Sequence, residues 1–195
     1  MKYKLIPNYN DDYKAIIFRI PKVANSSFKI LFPNFATNNE EKDLRETKNI
    51  LGEKYDSYFK FAFVRNPWDR LVSCWSNKTT DLFKRNYPQS PFTQATNKSF
   101  DFFVDLLKNG AFGEDRHIVP QVFFVPPDLD FIGRFENIKE DTDFIFNQLK
   151  TPLNNLPHVG RSDREHYKEY YNHKTIEIVE DIYQQDIEKF NYTFQ

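Results

Sequence analysis

Lys22, Ser26 and Ser27 stand close together in "IPKVANSSFK", and Arg65 and Ser73 share a second stretch, "FAFVRNPWDRLVSCW". Each set has the chemistry of an oxyanion grip. A lysine brings a point charge, hydroxyls and main-chain N–H groups bring donors, and an arginine brings a two-pronged fork. Phosphate or sulfate is the natural guest at a strand-to-helix turn built this way. The first turn lacks the G-x-x-x-x-G-K-[ST] pattern of a triphosphate loop. With no glycine there, close backbone approach is expected to fall to Asn25, the local residue that best tolerates positive φ. A capped helix beside a solvated lysine would use the same residues, as would an Arg65–Asp69 pair beside a water-facing Ser73. Two such turns in one sheet instead favour a single ligand carrying anionic groups at both ends.

The elements that position these residues are legible in the pattern. "AIIFRI" (15–20) is short, apolar and β-branched before Pro21, which predicts an interior strand. Phe28, Leu31 and Phe32 then recur at helical spacing up to Pro33. "YFKFAFV" (58–64) predicts a second strand, and the helix after it has a full set of start signals: Asn66 as cap, Pro67 in the first turn and Asp69 where the dipole favours an anion. Trp68, Leu71, Val72 and Trp75 mark its apolar face, leaving Asp69, Arg70, Ser73, Ser76 and Asn77 on the other side. Residues 78–98 are rich in turn formers and carry Lys78, Lys84, Arg85 and Lys98, the signature of a surface loop or lid. Helices are expected from Ser99 to about 108 and from 136 to about Leu149, with a third strand at 129–135. A final helix runs from His173 to Phe190. Strands alternating with helices predict a single α/β domain, 1–195, with a mainly parallel central sheet flanked by helices.

Composition sets the bounds. The chain has 195 residues, 21 of them Phe, only 5 glycines, and a formal net charge of −1. One aromatic-rich core fits that length. The charge gives no footing for nucleic-acid binding, so any anion site must be local. A single cysteine, Cys74, excludes an internal disulfide and a Cys-rich zinc site. No metal-ligand spacing stands out. No apolar run approaches the roughly 20 residues that span a bilayer, and a reducing, cytoplasmic setting is expected.

The paired stretches resemble the signature of PAPS-dependent sulfotransferases, above all the carbohydrate sulfotransferase branch. In that family P-K-x-x-x-[ST]-[ST] holds the 5′-phosphosulfate of 3′-phosphoadenosine 5′-phosphosulfate (PAPS), and R-x-P-x-x-R-x-x-S holds its 3′-phosphate. Lys22, Ser26 and Ser27 match the first; Arg65, Pro67, Arg70 and Ser73 match the second. The likeness continues through "HIVPQ" (117–121), "DFIGRFENIKED" (130–141) and "IVEDIYQQDIEKFNY". Asn25 departs from it, standing where many relatives have glycine. The resemblance implies the P-loop-like sulfotransferase fold, PAPS as donor, adenosine 3′,5′-bisphosphate as product, no metal, and a hydroxyl acceptor, in all expectation a glycan. The chain is also shorter than animal Golgi members, and a catalytic domain without their membrane anchor is the expectation.

Transfer of a sulfuryl group is an in-line displacement in which protein groups position the partners and stabilise developing charge. The resemblance assigns Lys22 to the bridging oxygen, Ser26 and Ser27 to the phosphosulfate, and Arg65 and Ser73 to the far phosphate. His117, in "EDRHIVPQ", is the first candidate for the base that takes the acceptor's proton, with Glu114 and Asp115 as carboxylate alternatives. His158, His166 and His173 lie in polar stretches and are expected at the surface. In "HVGRSDREHY" (158–167), Arg161 and Ser162 resemble the loop that closes over the nucleotide; Ser162 with Glu165 would equally make a capping box. Two other functions use similar parts. A PAPS-binding protein without turnover would keep both motifs, while a nucleotide-dependent phosphotransferase would want a glycine-rich lysine loop and an acidic magnesium ligand.

Overall fold

The computed structural model describes residues 3–31, 36–37, 40–151 and 164–195. In chain order the first elements are β1 (Pro7–Asn10), β2 (Ala15–Phe18), α1 (Asn25–Leu31), β3 (Ala36–Thr37), α2 (Leu44–Leu51), α3 (Glu53–Ser57) and β4 (Phe59–Val64). There follow α4 (Pro67–Lys78), α5 (Asp81–Asn86), α6 (Phe100–Lys108), β5 (Phe131–Arg134), α7 (Ile138–Leu149), α8 (His173–Ile182) and α9 (Gln184–Phe190). Contacts group the chain into two compact units, one of residues 1–65 and 121–160, the other of 66–120 and 161–195.

The first unit holds the sheet, in the order β3-β1-β2-β4-β5. Its centre is parallel: β2 pairs with β4, and β4 with β5. β1 and β3 add antiparallel pairings at one side. This is the expected α/β sheet, with two further strands, β1 and β3, that the sequence reading did not foresee; the polar "PNYN" of β1 gives no strand signal. Asn8 and Asn10 are nevertheless buried there, and Asn10 Oδ1 accepts from the Tyr13 N–H at 2.8 Å to close the β1–β2 turn. All four residues of β2 and Phe61 to Val64 of β4 are buried, each large side chain contributing about 1.5–3 kcal/mol.

Gly133 in β5 is needed for space: a Cβ there would sit 2.5 Å from the Phe63 ring. That ring in turn packs on Phe28 of α1, centroids 4.7 Å apart. A run of contacts from β5 through β4 thus seats the helix that follows the first motif.

The second unit is helical. Asn66 caps α4 as its sequence predicts, accepting from the N–H groups of Trp68 and Asp69 at 3.0 and 3.2 Å. The buried arc is wider than expected, because Arg70 and Cys74 join Trp68, Leu71 and Val72 inside, while Trp75 is only half-buried. Residues 78–98 differ from the loop reading. They contain the exposed α5 and a 3-10 turn, Pro91–Ala95, whose Phe92 is buried against Phe103 and Phe112. A phenylalanine with aromatic partners on α6 (Phe103) and in the turn after it (Phe112) gives that segment an anchor that turn-former counting misses. The final helix is interrupted at Tyr183, which leaves helical geometry and starts α9.

Candidate active site

In the first unit, β2 leads into a turn made without glycine. Two residues take left-handed backbone conformations, Lys22 at φ 70° and Ala24 at φ 48°. Asn25, the expected position, instead opens α1 in helical conformation. Cβ–carbonyl crowding costs roughly 1–2 kcal/mol for each left-handed residue, so the surrounding structure must enforce this path. The Phe28 N–H bonds the Ala24 carbonyl and the Val23 N–H bonds that of Ile20, fixing the turn from both sides. Lys22 is partly exposed and Ser26 is exposed, whereas Ser27 is only 4% exposed.

Arg65 follows β4 and is 7% exposed. Its Nη1 donates to the Lys22 main-chain carbonyl at 3.0 Å, and its guanidinium carbon lies 4.0 Å from the centroid of the Phe135 ring. The backbone of Arg65 is held in turn by Gln121, which is wholly buried. The Gln121 Oε1 accepts from the Arg65 N–H at 2.9 Å, and its Nε2 donates to the Arg65 carbonyl at 2.7 Å. The carboxamide does for one residue what a neighbouring strand does for several. Gln121 and Phe135 escaped the residue-type reading because a glutamine and a phenylalanine announce no chemistry by themselves. Their places in "HIVPQ" and just after the third strand were the available signals.

In the second unit, Ser73 lies half-buried on α4. Arg70, expected on the open side, is 1% exposed and donates to the carbonyls of Val119 and Arg116 at 2.9 and 3.2 Å. A guanidinium tolerates such burial only when its N–H groups find acceptors, and the carbonyls of 116 and 119 supply them. Asp69 is bonded by Arg164. Arg161, Ser162 and His158 lie outside the described residues.

His117 lies in the turn whose carbonyls Arg70 bonds. Asp115 Oδ1 accepts from the His117 main-chain N–H at 2.8 Å and lies 2.7 Å from its Nδ1. Burial pushes the His117 pKa below its ordinary value; the bond to Asp115 opposes that, and the Lys78 ammonium adds to it. Burial raises the Asp115 carboxyl, but the two His117 bonds outweigh it and leave the pKa lowered. An ionised carboxylate beside a neutral imidazole is the arrangement both shifts describe. Because a carboxylate only accepts, Nδ1 carries the ring proton and Nε2 keeps its lone pair. Lys78, its own pKa lowered by burial, lies over the Phe83 ring at 4.6 Å. Glu114 is exposed, as are His166 and His173. Among the described residues no group of three or more His, Cys, Asp or Glu is arranged to hold a metal ion, and no helix is long and apolar enough to cross a membrane.

Comparison with known proteins accords with this geometry. Residues 8–193 match the model of the sulfotransferase family. Carbohydrate sulfotransferase 11 of Rattus norvegicus is 23% identical, over 94% of this chain and 66% of its own length. Carbohydrate sulfotransferase 14 of Mus musculus is 25% identical, over 77% of this chain and 47% of its own. An uncharacterized protein of Archaeoglobus fulgidus is 27% identical over 54% of this chain and 79% of its own. The chain thus spans between about half and two thirds of the length of the carbohydrate sulfotransferases it matches. No solved structure matches it. With both motifs in order and nearly every residue inside the family match, the chain belongs to the sulfotransferase family and is most like its carbohydrate branch.

Proposed function

We propose that this protein is a PAPS-dependent sulfotransferase acting on a carbohydrate hydroxyl. The observation that carries the reading is the bond from Arg65 to the Lys22 carbonyl. It ties the two motifs together where β2 and β4, adjacent and parallel, end. Open parallel sheets take their ligands outside the carboxyl ends of such strands. The left-handed backbone at Lys22 and Ala24 fits the same use, since strain of this kind persists where main-chain N–H groups must converge on an anion.

PAPS, when bound, supplies the sulfuryl group and the adenosine 3′,5′-bisphosphate that leaves. Lys22 brings positive charge to the phosphosulfate end, with Ser26 and Ser27 as donors. The family resemblance gives Arg65 and Ser73 each to the 3′-phosphate, and Arg65 also steadies the first turn. His117 takes the acceptor's proton on Nε2 as the new oxygen–sulfur bond forms, while Asp115 keeps Nδ1 protonated and the ring oriented. The names of the relatives support a carbohydrate acceptor.

The test is chromatographic detection of adenosine 3′,5′-bisphosphate released from PAPS, with and without a panel of neutral and acidic glycans. Acceptor-dependent release, lost in Lys22→Ala and His117→Ala, is expected. Binding without release for every acceptor would make this a donor-binding protein, and magnesium-dependent transfer from ATP would make it a kinase.

A further inference from the structure

We infer that Arg70 is a positioning residue for His117, setting the segment that presents the imidazole rather than gripping a phosphate. The inference rests on His117 as the base in the reading above and adds the group that aims it.

Residues 115–119 form a single turn in which the N–H groups of Ile118 and Val119 both reach the Asp115 carbonyl, at 3.0 and 3.1 Å. Nothing continues that turn as a helix, so its last carbonyls need partners from elsewhere. Arg70 supplies two, its Nη1 taking Val119 and its Nη2 taking Arg116. Tyr183, fully buried at the end of α8, donates its hydroxyl to the Ile118 carbonyl between them. The carbonyls of 116, 118 and 119 are thereby fixed by two buried groups, one on α4 and one at the junction of α8 and α9. His117 lies inside that bracket.

The direction of its ring is then set by a backbone that cannot rotate and by Asp115, whose one oxygen takes both His117 N–H groups. The guanidinium is suited to this because its fork spans two carbonyls at once. A lysine in its place keeps the charge and reaches only one point. The charged and titratable groups facing His117 are Asp115 and Arg116 on its own segment and Lys78 on α4. Cys74 acts on the Lys78 ammonium, and the Tyr183 phenol is occupied by the Ile118 carbonyl.

The test compares the parent with Arg70→Lys and with Tyr183→Phe, each first shown to fold by circular dichroism. Long-range nitrogen NMR of the imidazole reads the His117 tautomer without any donor or acceptor. In Arg70→Lys the preference for Nδ1–H should weaken, because a loosened 115–119 turn no longer holds the imidazole squarely on Asp115. Tyr183→Phe should weaken that preference by less. In turnover, kcat should fall roughly 10- to 100-fold in Arg70→Lys, while the KM for PAPS and the affinity for adenosine 3′,5′-bisphosphate keep parental values. A parental His117 tautomer preference in folded Arg70→Lys would overturn the inference. So would a raised KM for PAPS with kcat intact, which would mark Arg70 as a donor ligand. Should Arg70→Lys fail to fold, the NMR of Tyr183→Phe decides by the same criterion. A parent with no turnover on any acceptor would defeat the proposed function, and the NMR arms would still decide the role of Arg70.

Discussion

Arg65 holds Lys22 by its backbone: Nη1 of the arginine donates to the lysine carbonyl at 3.0 Å, at the one residue of the turn forced to φ 70°. The residue that the family resemblance assigns to one end of the nucleotide therefore also shapes the turn assigned to the other. Phe135 below the guanidinium and Gln121 on its backbone leave Arg65 little freedom to do otherwise.

Arg65→Lys should therefore weaken donor binding even though the charge is kept, because a lysine cannot both stack on Phe135 and bond the Lys22 carbonyl. A charge-assisted hydrogen bond is worth about 1.5–3 kcal/mol, so the affinity for adenosine 3′,5′-bisphosphate should drop by at least about tenfold. Calorimetry on the parent is expected to give binding on the scale of about −8 kcal/mol, in the micromolar class. Equal affinities in parent and variant would show the contact to be idle.

Gln121→Ala should cost stability before anything else. It strips both bonds from the Arg65 backbone in a site with no exposure, leaving a buried N–H and a buried carbonyl unmatched. At about 1–3 kcal/mol for each orphaned group, urea unfolding should show a loss of roughly 2–5 kcal/mol. A loss of a few tenths would mean that the backbone finds other partners.

Gly133→Ala tests the packing that seats α1. The added methyl would meet the Phe63 ring at 2.5 Å, and the ring is backed by Phe28, so it has little room to yield. Overpacking of this kind costs about 1–3 kcal/mol. Thermal unfolding should register it, and donor affinity should fall with it, since Phe28 belongs to the helix that carries Ser26 and Ser27. An unshifted melting temperature would rule out the tight seat.

The pH dependence follows from His117 and Asp115. Turnover should rise with pH through a group that titrates below the ordinary histidine value and then level off, because the base works neutral and burial favours that form. Asp115→Asn removes the partner that holds the pKa up, so the acid limb should move to still lower pH while kcat falls with the lost orientation. His117→Ala should lower kcat by about 10²–10⁴. For stability the sign is the same. The contribution of buried neutral His117 is complete above its unfolded value of about 6.5 and is lost as pH falls through its lower folded value. A pH–rate profile with no limb below neutrality, or one that moves upward in Asp115→Asn, would contradict this.

Much of the fold around the two turns is legible in the sequence. The Asn66 cap, the two interior strands and the turns that end them follow from local rules, because strand alternation, capping and proline geometry act within a few residues. Arg70 was placed on the wrong side of its helix for an equally physical reason. Periodicity sorts side chains by polarity, and a buried arginine is disfavoured until partners remote in sequence turn carbonyls toward it. Likewise Asn25 was the rational choice for positive φ. Lys22 and Ala24 adopt it instead, and tertiary bonds such as that from Arg65 keep the turn on that path.

What the sequence by itself determined was the family and the order of the motifs, since these rest on residue identity and short spacing. Only the tertiary structure decided which residues serve which others: that Gln121 holds Arg65, that Arg65 holds Lys22, and that Arg70 holds the carbonyls of Arg116 and Val119 on either side of His117. Most of these bonds join groups more than forty positions apart. They exist only once the sheet and helices have packed, because a hydrogen bond requires distance and angle that composition does not encode.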